Sequence, residues 1–350
     1  MKPFFSVITA VAGVAMLMVN SPAPAQTHRD AIHYHLLKKV TIGGEGGWDY
    51  LEADPQHRKL YIAHFTQVDV YDLDHDKIIS HIPNTEGVHG IAIAEAARHG
   101  FISCGKSNSV LMFDLRSLDT LKRIPVGVHP DAIIYDLDTR HVFAMNAGSN
   151  SVTVIDAASG NVITTIALPG RPEFAASDDH GHIYVNLEDK SEVAKISSGG
   201  NYIDKVWPIA PGESPSAMAI DRGKDRLLIG CANKRMIVMD ALDGHVITAL
   251  PIGKGIDAAK FDPFTNLTFA TCGDGTMTII NEINPDSFVV AQKLPTQRGA
   301  RTVALDTHTN DVYTVTAQFG PAPAATAEQP HPRPTIIPGT FVLLKYGPPK

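Results

Sequence analysis

From residue 33 to the C-terminus, apolar and polar residues alternate in short runs, and Gly, Pro, Asn or Asp closes most of them. A period of two puts every second side chain on one face, the pattern of a half-buried β-strand. No long helical period follows the first 25 residues. The stretch "NAGSNSVTVID" at 146–156 shows the unit: a polar, glycine-bearing turn, then an alternating strand that stops on Asp156. The strand before this turn carries an aromatic or a leucine, and that residue recurs as Tyr61, Phe101, Phe143, Tyr184, Leu228, Phe269 and Tyr313. Successive anchors stand 40, 42, 41, 44, 41 and 44 residues apart. A period near 40 marks propellers and other repeat arrays.

Each copy reads as four short strands. Strand A precedes the anchor ("AIIYDL", "SAMAID"), and strand B carries it ("RHVFAMN"). Strand C follows the turn ("NSVTVIDA", "RMIVMDA"), and strand D closes the copy ("NVITTIALPG", "HVITALPIG"). Seven such copies predict an all-β fold: a seven-bladed β-propeller of four-stranded blades, one domain over 33–347. An open β-solenoid is the alternative, but its repeats are typically shorter. The last copy ends on strand C, "TFVLLKYG" at 340–347, while "YHLLKKVTIGG" at 34–44 has strand-D character and no blade of its own. The N-terminal strand is therefore expected to complete blade seven and close the ring.

The segment "FAMNAGSNSVTVIDAASGNVITTIALPGRPE" closely resembles the YVTN repeat of the YncE-like β-propellers. "FAMN" keeps the asparagine of Tyr-Val-Thr-Asn, and blade four, "YVNLEDKSEVAKI", departs further. The resemblance covers essentially the whole mature chain and implies the propeller. It implies no single activity, because families on this fold include binding scaffolds, cell-surface proteins and enzymes.

The first 25 residues change the picture of where the chain works. Lys2, the apolar run "FFSVITAVAGVAMLMV" and the small-x-small "APA" at 23–25 read as a signal peptide, with Gln26 as the first mature residue and 26–32 as a flexible tail. The run is shorter than the roughly 20 residues that span a bilayer, and no later segment is apolar enough to span. A periplasmic protein is expected, with the extracellular space as the alternative. The mature chain keeps 29 Lys and Arg against 37 Asp and Glu, a net charge of −8 once Lys2 is removed. That balance counts against nucleic acid as partner. Cys104, Cys231 and Cys272 are too few and odd in number for a disulfide framework, and all stand three after an anchor, where strand B ends. They read as small packed side chains. A monomer is expected. No Rossmann, P-loop or serine-hydrolase motif is present.

Candidate chemistry collects in the D–A links, which open on one face beside the central channel. Fourteen before the anchors stand Gly47, Gly87, His129, Gly170, Ser214, Gly255 and Gly299, suited to a left-handed turn. Twelve before stand Asp49, His89, Asp131, Pro172, Ser216, Asp257 and Arg301, with Trp48, Tyr50, Arg171 and Glu173 beside them. Asp in such links also caps turns. Even so, five residue types in seven equivalent places are what an asymmetric ligand requires. The candidate ligand-binding set is Trp48, Asp49, His89, His129, Asp131, Arg171, Glu173, Asp257 and Arg301. Within it, His89, Asp49, Asp131 and Asp257 are candidate ligands for a divalent metal ion. Arg171 and Arg301 could instead grip an organic anion, with Trp48 as stacking face and His89 or His129 as proton carrier. No catalytic residue can be assigned. Three functions fit: a protein binding a small ligand or partner at the channel mouth, a metal-assisted lyase or hydrolase on the same rim, and a pure interaction scaffold. A proline-rich insertion, 318–339, lengthens the B–C turn of blade seven and emerges on the same face, as a lid or docking arm.

Overall fold

Seven antiparallel four-stranded sheets follow one another along the computed structural model, which describes residues 1, 3–4, 33–324, 326, 332 and 334–349. In blade one the order is Trp48–Asp54, Lys59–His64, Gln67–Asp72 and Lys77–Ile82, neighbours in sequence pairing as neighbours in space. Blades two to six repeat this order. Apart from two one-turn 3₁₀ segments, Glu95–Ala97 and Gly105–Ser107, no helix occurs among the described residues. None is therefore long and apolar enough to cross a membrane. The expected signal peptide and the tail 26–32 lie outside the described residues, except positions 1, 3 and 4. So does part of the proline-rich insertion.

Ring closure runs as the sequence predicts. His35–Thr41 pairs antiparallel with Val342–Gly347, so blade seven takes its outer strand from the N-terminal side of the chain. Val40 faces Leu343 and Thr41 faces Val342. The amides of Ile42 and Gly43 both donate to the Phe341 carbonyl, at 2.9 and 3.0 Å.

The alternating pattern buries one face of each sheet against the next blade. All seven anchors are at most 1% exposed. Tyr61, Val68 and Val70 of blade one pack with Ile102, Leu111 and Phe113 of blade two. Leu60, Ile62 and Tyr71 of blade one pack with Tyr313, Val315 and Leu343 of blade seven. An apolar cluster thus spans the seam where the ring closes. Burying one such side chain contributes about 1.5–3 kcal/mol.

Local chemistry fixes the turns. Asp136 accepts from the Thr139 amide at 3.0 Å, Asp262 from Phe264 at 2.9 Å and Asp306 from His308 at 3.0 Å, so the A–B turns are closed by aspartate side chains. Asn146 donates to Ser151 and Thr153 across the B–C turn, at 3.1 and 2.9 Å. Cys104, Cys231 and Cys272 are buried and unpaired, each at the end of its strand B.

Candidate functional site at the channel mouth

Strand A is innermost in each blade, and its first residues form the mouth. The ladder pairs Trp48 with His64, Val88 with Cys104, Pro130 with Asn146 and Pro172 with Leu187. Blade four is one residue shorter between mouth and anchor. The ladder therefore places Glu173, not Pro172, level with Asp131. Around the ring the column reads Asp49, His89, Asp131, Glu173, Ser216, Asp257 and Arg301.

Neighbouring blades hold this column by hydrogen bonds that sequence reasoning did not find. Thr302 donates to the Asp49 carbonyl and Thr271 to the Arg301 carbonyl, both at 2.8 Å. Ser103 donates to the Asp131 carbonyl, and Asn186 to that of Ala217 at 3.0 Å. Hydroxyls on neighbouring blades therefore set the height of Asp49, Asp131 and Arg301, and the Asn186 amide that of Ala217. Their periodic polar positions in otherwise apolar strands are the signal that could have found them. His129 has a left-handed backbone (φ 52°), as do Ser214, Gly87, Gly255 and Gly299 in the same column. Such a φ is uncommon for a non-glycine residue. Among the five it is a shared feature of the turn into strand A.

The side chains converge in two groups. His89 Nδ1 meets Asp49 at 2.5 Å and lies 3.6 Å from Asp131. The His129 ring is 5.1 Å from the His89 ring, and His89, His129 and Asp131 offer ligand atoms within 4.8 Å of one another. On the other side Arg301 Nε donates to Asp257 at 2.5 Å, and its Nη2 lies 3.7 Å from Asp49. Arg171 sits at the lip, 3.5 Å from Glu173 and 2.9 Å from Glu188. The sequence-based metal set is thus rearranged. Asp257 is held by Arg301, and His129 takes its place beside His89 and Asp131. Both arginines already hold carboxylates of the protein, so neither presents a free fork to an organic anion. Trp48 is displaced from its expected role as a stacking face. It is 7% exposed and packs on Phe319 and Phe341, ring centres 5.9 and 5.5 Å away, with the Arg301 guanidinium 6.0 Å over it.

Four carboxylates, Asp49, Asp131, Glu173 and Asp257, share this opening, and burial works against the charge of the last three. Desolvation, then the charges of Asp131, Glu188 and Asp257, pushes Glu173 up to about 9. Asp257 is pushed up to about 7 by burial and by Asp49 and Asp131, against the pull of Arg301. Burial also raises Asp131, despite the opposing charges of His89 and His129. Burial disfavours a charged His89, but the hydrogen bond to Asp49 and the charges of Asp131 and Asp257 outweigh it, and its pKa rises. Burial and mutual repulsion thus favour the protonated form of Asp131, Glu173 and Asp257, although Arg171, Arg301 and His89 stand beside the group.

No protein-family model matches the chain, and no curated protein matches it in sequence. Among solved structures it is similar to the hydrazine synthase of Kuenenia stuttgartiensis, with a TM-score of 0.68 at 15% identity over 79% of this chain and 93% of that one. At that identity the likeness carries the propeller fold and nothing of the activity.

Proposed function

We propose that the protein is an exported binding protein that captures a small cation at the channel mouth. Export rests on the N-terminal pattern of Lys2, apolar run and "APA". The observation that carries the ligand class is the convergence of Asp49, Asp131, Glu173 and Asp257 on one opening, with three of them displaced toward the protonated form. A cation entering this space replaces the held protons. Its affinity therefore rises with pH, by up to about tenfold per unit for each proton displaced. Titration calorimetry with manganese(II) and with putrescine, from pH 6 to 8.5, tests the reading and separates a metal ion from an organic cation. Saturable binding of one of them, at least tenfold weaker in Asp131→Asn, supports it. No binding of either, or binding indifferent to that substitution, removes it.

The second reading is a metal-assisted lyase or hydrolase. It is favoured by the grouping of His89, His129 and Asp131, and by the carboxylate of Asp49 behind His89, an arrangement that orients metal-bound imidazoles. A stoichiometric divalent ion in protein purified without chelator supports it, and loss of that ion in His129→Ala locates it.

A further inference from the structure

At the far end of strand A, five residues and about 16 Å along from Asp49, the A–B turn of blade one meets that of blade two. Asp54 is buried there and faces Glu95 of the next blade, with His57 between them. His57 Nδ1 stands 3.0 Å from Asp54 Oδ2 and 3.2 Å from Glu95 Oε1. One N–H cannot serve both, and Glu95 Oε1 is enclosed without a hydrogen-bond partner. No lysine or arginine pairs with either carboxylate among the described residues. The repeat supplies the comparison. Asp221 of blade five pairs with the residue two before its anchor, as Asp54 does, and it too meets a glutamate of the next blade, Glu282. There Lys224 stands 3.1 Å from both. Lys224 and His57 each lie four before their anchor, so His57 occupies the place of that cation. Lysine carries a fixed charge, whereas histidine offers a nitrogen that binds metal.

A buried hydroxyl points the same way. In blade four Tyr184 reaches Asp178, the counterpart of Asp54, at 3.4 Å. In blade one the Tyr61 hydroxyl is fully buried and has no partner among the described residues. Burial, then the charges of Asp54 and Glu95, raise its pKa, so both carboxylates lie near it. Asp54 thus forgoes a neighbouring donor and turns toward a like charge, an arrangement that a cation between the two would favour. The spacing suits one. Adjacent ligands of an octahedral or tetrahedral ion with bonds of about 2.0–2.2 Å stand about 3.0–3.4 Å apart. The His57 amide, 2.9 Å from Asp54 Oδ1, already fixes that carboxylate. His57 and Glu95 are partly exposed, which leaves an ion a path from solvent. We propose that Asp54, His57 and Glu95 bind one divalent transition-metal ion of the zinc(II) class, which ties blade one to blade two on the face opposite the mouth. The His57 ring hydrogen then sits on Nε2 and Nδ1 gives its lone pair to the ion.

The probe is zinc(II), titrated by calorimetry into the full mature chain carrying Asp131→Asn, so that the mouth and this site are read apart. One saturable site is expected, weakened at least tenfold by Glu95→Gln and by His57→Gln. Anomalous scattering at the zinc edge is expected to place the ion among the three side chains. Absence of saturable binding overturns the proposal. So does binding that neither substitution changes, or an ion found only elsewhere on the molecule.

Discussion

Replacing Glu173 by glutamine removes a strongly displaced carboxyl at the mouth and keeps its shape. In the folded chain Glu173 titrates near 9, against an ordinary value of 4.5. A raised carboxyl favours the folded state in its protonated form. Its contribution is complete below pH 4.5 and is lost as pH climbs toward 9, because the unfolded chain releases the proton first. At pH 7 the loss covers roughly 2.5 pH units at about 1.4 kcal/mol each, or about 3.5 kcal/mol. The side chain is only 11% exposed, so solvent does little to screen it. Glutamine also forfeits the ion pair that Glu173 makes with Arg171 at 3.5 Å, which takes back part of that gain. Glu173→Gln is therefore expected to stabilise the fold by about 1–3 kcal/mol at pH 7 and by under about 1 kcal/mol at pH 5. Urea unfolding followed by circular dichroism from pH 5 to 8.5 measures both. A difference that stays the same at pH 5 and pH 8 would refute the reasoning, since it would mean that the carboxyl ionises normally.

A methyl group at Gly105 would stand 2.8 Å from His89 Nε2, so Gly105→Ala is expected to turn the imidazole and weaken cation binding while leaving the unfolding midpoint within about 1 kcal/mol of the parent. Arg301→Met removes the one cation that pulls Asp257 down, and its carboxyl is expected to titrate above the present value of about 7, read by ¹³C NMR. Trp48→Ala empties a site between Phe319 and Phe341 and is expected to cost about 3–5 kcal/mol in denaturant unfolding. Deleting residues 33–41 strips the outer strand from blade seven, exposing the edge of Val342–Gly347. A lower melting temperature and concentration-dependent association, seen by light scattering, are expected.

The propeller was legible because its signals are local and repeated. Alternation marks each strand, and the spacing of Tyr61, Phe101 and their counterparts marks each blade. Those residues are buried because each sheet meets its neighbour on that face. The N-terminal closure was legible for a related reason: one strand was missing at one end of the chain and one was in excess at the other. The mouth was legible as a list of residues, but its pairings were not. His89 lies beside Asp49 and Arg301 beside Asp257, partners about one blade apart in sequence, and no spacing rule fixes which neighbour a side chain turns to. Counting back from anchors failed at blade four, where one residue fewer put Pro172 in the place that Glu173 holds. Trp48 could not be read from the sequence as a core residue, because Phe319 and Phe341 reach it across the seam from the far end of the chain.

The direction in which carboxylates are displaced separates the mouth from most of the molecule. Where aspartates hold the scaffold together, donors favour their charge despite the cost of burial. Asp69 is lowered by His64, His81 and Gln67, Asp76 by Lys38 and Tyr71, and Asp178 by the amides of His180 and His182. At the mouth, Asp131, Glu173 and Asp257 go the other way. Glu95 and Glu282 are also raised, by burial first, but each faces a single neighbouring aspartate, Asp54 and Asp221. Among the described residues, only at the mouth do three raised carboxylates and a fourth, Asp49, face the same space. A ring of blades tolerates this because its stability lies in the apolar seams between sheets, away from the channel. Burying several carboxyls together, even with Arg171, Arg301 and His89 beside them, costs the fold stability and contributes nothing to packing. Under the proposed function, a cation supplied from outside replaces the protons these carboxyls hold, which makes the mouth the place to look for the protein's primary ligand.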